Sequence, residues 1–227
     1  MQGEKMENII ALPNNMTLKH SFPKLTADLL DKAENILKEK FGYTKLPIDY
    51  RNFLLQHNGG FVSPGYVDDS DTLDHTQEFV FDTPLKWARD NNRSVKPCIV
   101  MFFGIWLEDE LPEDYDAPDD LDLFELIASN EHSREDFDVL PDNMMSIAKC
   151  SHPEAADMLC ISLDETDYGS VFYYYDMWNH PGKFHGDYYE KKKEITNEHK
   201  RVPFVKVANS FNEFIQNCKI LDVDEEE

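Results

Sequence analysis

Lysine and arginine are scarce in this chain: 22 basic residues face 45 acidic ones, a formal net charge of -23. That balance repels a phosphate backbone, so it argues against direct nucleic-acid binding and favours either basic partners or plain solubility. Long apolar runs are missing as well. No segment approaches the roughly 20 apolar residues that span a bilayer, and the N-terminus lacks a signal-peptide core. The expectation is therefore no membrane, with the cytoplasm as default. The four cysteines, Cys98, Cys150, Cys160 and Cys218, stand far apart, without the close pairs of a zinc site, and read as reduced core residues. Asp68 to Asp74 lacks the glycine and terminal glutamate of a calcium loop and reads as an acidic surface turn. His180 and His185 bracket Pro181-Gly182 and lack the i,i+4 spacing of a zinc-hydrolase helix. No glycine-rich phosphate loop and no nucleophile beside a base is visible. The reading expects no catalytic residue, no metal and no cofactor.

What is present is a globular composition, 41% hydrophobic and 12% aromatic over 227 residues, long enough for a sizeable core. The most fully specified stretch runs from Leu46 to Val67. Pro47 suits the first helical position. Tyr50, Phe53, Leu54 and His57 follow at spacings of three and four, so they share one helix face. Asn58-Gly59-Gly60 tolerates the left-handed backbone that closes a helix, Phe61-Val62 runs on into sheet, and Pro64-Gly65 marks a turn.

Upstream, Thr26 can cap a helix over Leu25–Phe41, stapled by Leu25 and Leu30, with Leu29, Ala33, Ile36 and Leu37 inside and Gly42 past the end. Ile9 to Leu12 suggests a lead-in strand or a loosely held arm. Downstream, Glu78–Phe81 reads as a short strand. Cys98–Phe103 has the pattern of a central strand covered on both faces. Asp157–Leu163 and Ser170–Asp176 flank a turn and form a hairpin. Phe204–Ala208 reads as the last strand, before a capping box, Ser210 to Glu213, that opens a final helix. The lysine run at Glu190–Glu194 reads as a solvated face.

Leu46-Pro47, Asp49-Tyr50, Phe53-Leu54-Leu55 and Asn58-Gly59-Gly60 together resemble the signature of the SMI1/KNR4 family, also called the SUKH superfamily. Segments from roughly Leu25 to Lys219, including Val207 to Phe214, follow the family's order. The resemblance implies an α+β fold in which two N-terminal helices and a C-terminal helix pack on a mostly antiparallel β-sheet. It divides the chain into an N-terminal arm (1–20), one domain (21–221) with an acidic insertion (108–120), and a disordered acidic tail (222–227). It also implies a non-catalytic protein-binding domain, an immunity protein that binds and neutralises a cognate toxin, often a nuclease. The alternative, implied by the fungal members, is a regulatory scaffold for endogenous partners; a hydrolase ranks last.

Charge is most polarised from Glu108 to Glu125, where ten acidic residues fall in a stretch that has no lysine or arginine between Lys96 and Arg134. The candidate contact residues for a basic toxin are Trp106, Glu108, Asp109, Glu110, Glu113, Asp114, Tyr115, Asp116, Asp119 and Asp120. Phe124 is a further aromatic anchor. As an ordinary solvated loop, the same segment would turn its aromatics inward. A short helix is expected from Asp119 or Asp120, after the two prolines.

Overall fold

The computed structural model describes residues 10–12, 16–19, 21–43, 45–63, 77–85, 96–107, 125–135, 140–151, 157–174, 200–201 and 203–222. Helix α1, Ala27–Phe41, starts where the Thr26 side chain accepts the Leu29 N–H. Leu25 and Leu30 are both buried beside that start, which is the staple geometry. The helix ends at Gly42 (φ 71°), whose N–H returns to the Lys38 carbonyl. Its buried face is Leu30, Ala33, Glu34 and Leu37. This face is turned slightly from the expected one: Leu29 and Ile36 are only half-buried at its margin. Helix α2, Ile48–His57, follows Pro47 and buries Tyr50, Phe53 and Leu54 completely. Full burial of such a side chain contributes about 1.5–3 kcal/mol.

Nine strands among the described residues form one sheet, and every pairing between them is antiparallel. They are β1 Thr17–Lys19, β2 Gly60–Ser63, β3 Gln77–Val80, β4 Cys98–Phe102, β5 Met144–Ser151, β6 Met158–Ser162, β7 Val171–Tyr174, β8 Phe204–Ala208 and β9 Lys219–Asp222. The main order is β1-β2-β4-β5-β6-β7-β8. Strand β4 takes β2 along its end (Gly60 opposite Phe102) and β3 at its start (Val80 opposite Cys98); β9 lies beyond β3. Two further helices lie among the described residues, α3 Leu126–Glu135 and α4 Phe211–Asn217.

Alternation along the strands divides the side chains between two faces. Ile99, Phe102, Ile147, Leu159, Ile161, Val171 and Tyr173 join Leu30, Leu37, Phe53, Leu54, Phe211 and Phe214 in the main core. Met101 packs instead with Phe22, and Met144 and Cys160 pack with Leu140 and Phe204. The central strand β4 is thus covered on both sides, as its apolar run suggests. The β6–β7 hairpin is present. The Ser210 side chain accepts the Glu213 N–H and opens α4. Glu213 reaches back one residue further than a standard capping box, to the Asn209 N–H.

Several expectations change in place. The lead-in strand lies at Thr17–Lys19 rather than over residues 9–12, although Ile10 is buried. The expected helix start at Asp119 or Asp120 lies outside the described residues, and the helix described after it begins at Leu126. Phe204–Ala208 is followed by another strand, β9, which includes Asp222. The Pro64-Gly65 turn, the Asp68–Asp74 turn, the Glu190–Glu194 run, His180, His185 and residues 223–227 lie outside the described residues. All four cysteines are free thiols, with Cys150, Cys160 and Cys218 buried. Burial pushes these three thiols up from their ordinary range. No helix among the described residues is long and apolar enough to cross a membrane.

Candidate partner-binding surface

The signature stretch builds a corner of the fold before it offers anything to a partner. Asn58 holds the left-handed conformation (φ 45°) that ends α2, and its N–H returns to Leu54 O at 2.8 Å. Its side chain is 1% exposed and fully engaged. The amide nitrogen donates to Pro23 O (2.6 Å) and Ile105 O (3.0 Å), and the amide oxygen accepts the Ile105 N–H (2.8 Å). One residue on, Gly59 lies against Gly104 so closely that a Cβ on Gly59 would stand 2.5 Å from the Gly104 nitrogen. A Cβ on Gly104 would stand 2.1 Å from the Phe22 ring. The Asn-Gly-Gly run is therefore a helix stop and a three-way backbone junction, and only residues without Cβ fit its glycine positions.

The other signature residues also serve packing. Asp49 accepts the Asn212 N–H at 2.9 Å, so the first turn of α2 satisfies an open donor of α4. Glu34, 7% exposed, accepts the Leu46 N–H at 2.9 Å and pairs with Arg51, which also reaches Asp31 at 3.0 Å. Tyr50 packs edge-on to Phe211, with ring centroids 5.0 Å apart. Its hydroxyl is buried with no hydrogen-bond partner among the described residues, and burial pushes its pKa up. These contacts explain why carboxylates stand at 34 and 49 without assigning either a ligand.

The same junction pins both ends of the acidic segment. Gly104 and Glu125 form an isolated parallel bridge, and the Leu126 N–H donates to Gly104 O at 2.7 Å. The Glu125 carboxylate caps α3 through the Ala128 N–H (2.7 Å) and meets the Trp106 N–H at 3.5 Å. Burial raises its pKa, with the hydrogen bonds from the α3 start opposing the rise. Further along α3, Asn130 exchanges hydrogen bonds with both backbone groups of Ser146, extending the ladder of β5 past the end of β4. The described chain on the two sides of residues 108–124 is thus brought together at one bridge, Gly104 to Glu125.

Of the ten candidate contact residues, Trp106 is described; Glu108, Asp109, Glu110, Glu113, Asp114, Tyr115, Asp116, Asp119 and Asp120 lie outside the described residues, as do Phe124 and Trp87. Trp106 is half-buried and meets Phe22 edge-on, with centroids 6.2 Å apart. Its ring is partly spent on the second face of the sheet. Glu125 was legible only as one more acid, and a lone glutamate ahead of an apolar run is a weak capping signal. Among the described residues no group of three His, Cys, Asp or Glu is placed to hold a metal ion. An open cleft of about 370 Å³ lies between Phe81, Phe214, Cys218 and the Asp82–Lys219 ion pair. A family model described as SMI1 / KNR4 family (SUKH-1) matches residues 24–217. No curated protein and no solved structure matches the chain.

Proposed function

Because the chain belongs to the SMI1/KNR4 family (SUKH-1), we propose that it is a protein-binding domain that holds a basic toxin domain and neutralises it stoichiometrically, transforming nothing. The family resemblance supplies the immunity role. The observation that carries the electrostatic part is the excursion between Gly104 and Glu125: its two ends meet at one bridge, and the intervening sequence is densely acidic without a lysine or arginine. Anchoring matters because an acidic segment held at both ends gives up less freedom on binding than a free tail does.

With a net charge of -23, the surface steers a cationic partner toward it, and a concentrated acidic segment sets where the encounter ends. A nuclease suits this chemistry, since its own substrate is a polyanion and its binding face is basic. The reading assigns contact to Glu108, Asp109, Glu110, Glu113, Asp114, Asp116, Asp119 and Asp120, with Tyr115 and Trp106 among them.

The test is co-purification with the basic toxin domain encoded beside its gene. The expected result is a one-to-one complex whose association slows by about tenfold or more between low and high salt. A variant with those eight acids changed to amides should lose most of that salt dependence. A complex insensitive to salt, or unchanged in the amide variant, removes the electrostatic part. A stable partner encoded elsewhere, with no binding to the neighbouring product, replaces immunity with the scaffold reading.

A further inference from the structure

Among the described residues two large hydrophobic side chains are well exposed, Ile48 at 69% and Tyr168 at 44%. Both belong to one corner. Ile48 is the first residue of α2, and the Tyr168 hydroxyl donates to the Lys45 carbonyl just before it. Next to Tyr168, a Cβ placed on Gly169 would stand 3.5 Å from Pro47. The β6–β7 turn therefore rests against the entry to α2, with the tyrosine and the isoleucine on the outside.

The turn that displays Tyr168 is cross-braced. The Gly169 N–H donates to Ser162 O at 2.8 Å. Asp164 accepts both the Thr166 N–H (3.0 Å) and the Thr166 hydroxyl (2.8 Å). Ser162 bonds Asp167, and Arg201 ties the two together, 2.9 Å from the Ser162 hydroxyl. An aromatic on such a turn loses little freedom when covered.

Charge says what covers it. Arg51 is taken by Glu34 and Asp31, and Arg201 by Asp167. Among the described residues Asp164 and Glu165, in contrast, make no ion pair, and Lys45 is a cation of this corner that also stands outside any such pair. Glu34 and Asp49 add to burial in raising the Tyr168 hydroxyl pKa against the pull of Arg51, which is a negative field at that oxygen.

We infer that Ile48 and Tyr168, with Asp164 and Glu165 beside them, form a second contact for the basic protein partner. Here a partner apolar side chain flanked by lysine or arginine docks. This rests on the proposed binding of a basic partner and adds an apolar anchor to it. The corner stands at the opposite end of α2 from the Asn58–Gly104–Glu125 junction, about 15 Å away for ten helical residues. One partner face of ordinary size, about 800 Å² on each side, reaches both.

The experiment titrates two synthetic peptides of equal charge, one alternating lysine with leucine and one of lysine alone, into the isotope-labelled full chain. Amide shifts and affinities are read by NMR. The Lys/Leu peptide should move the Ile48, Glu165 and Tyr168 signals and bind about tenfold tighter than the lysine peptide, as one buried apolar side chain allows. Ile48→Lys and Glu165→Lys, both at exposed positions, should erase that advantage while the thermal midpoint stays put. Equal affinities, or shifts that bypass Ile48 and Tyr168, overturn the second contact and leave the acidic excursion untouched. A lysine peptide that fails to bind while the Lys/Leu peptide still moves the corner removes the electrostatic reading and keeps the apolar anchor.

Discussion

Replacing Asn58 should damage this fold severely, because its buried side chain holds three backbone groups. In Asn58→Gly the left-handed backbone stays comfortable, so the loss isolates the side chain. Its hydrogen bonds to Pro23 O, Ile105 O and Ile105 N–H disappear, and Ile105 is itself buried. A buried backbone group left without a partner costs about 1–3 kcal/mol, and some water entry is expected at the vacated site, so the total should be about 3–5 kcal/mol. Asn58→Ala should lose about 1 kcal/mol more, the cost of a Cβ in the left-handed region.

Asn58→Asp supplies a sharper comparison. It keeps an acceptor for the Ile105 N–H but sets a carboxylate against two carbonyl oxygens. It should fall below the glycine variant at neutral pH and recover in acid as the carboxyl gains a proton to donate. Urea unfolding followed by circular dichroism measures all three, with midpoints shifted and slopes unchanged. Against a total stability of about 5–15 kcal/mol the effect is large. If Asn58→Gly stays within about 1 kcal/mol of the parent, the junction is not held by this amide and the reasoning fails.

Two further outcomes follow from the same region. Gly104→Ala places a Cβ 2.1 Å from the Phe22 ring and 2.4 Å from the Asn58 carbonyl oxygen; the backbone contact cannot rotate away, so the loss should be about 2–4 kcal/mol, or roughly 5–15 °C in Tm. A drop under about 3 °C would show that the junction yields. Glu125→Gln tests the buried carboxylate. Burial holds its folded pKa above the unfolded value of about 4.3, so the folded state binds the proton more tightly between the two. Stability owed to this group falls as pH rises through that window and is level above it. The difference in unfolding free energy, variant minus parent, should therefore climb between about pH 4 and the folded pKa and then flatten; a flat difference throughout would refute the assignment.

Much of this architecture was legible without coordinates, and the readable parts share a cause. Thr26, Gly42, Ser210 and the Asn58-Gly59-Gly60 run are local signals, each satisfying backbone groups within a few residues of itself. Tyr50, Phe53 and Leu54 announce one buried face by spacing alone. The inner face of α1 was read slightly askew because Glu34 breaks the apolar rule: its burial is stabilised by Arg51 and the Leu46 N–H, partners 12 and 17 residues away. Strand β9 was missed because its pairing with β3 joins Gln77 to Asp222 across most of the chain.

The sequence by itself determined the family, the acidic balance and the capped ends of α1, α2 and α4, since composition and local hydrogen bonding are properties of the chain alone. Tertiary structure decided what the signature residues do. Asp49 caps a helix that begins more than 160 residues later, and Gly59 is required by Gly104, a neighbour only in space. It also decided that Gly104 and Glu125 meet at one bridge and that Ile48 and Tyr168 share a corner. Such contacts join residues whose separation along the chain leaves no local trace, so only the folded backbone brings their chemistry together.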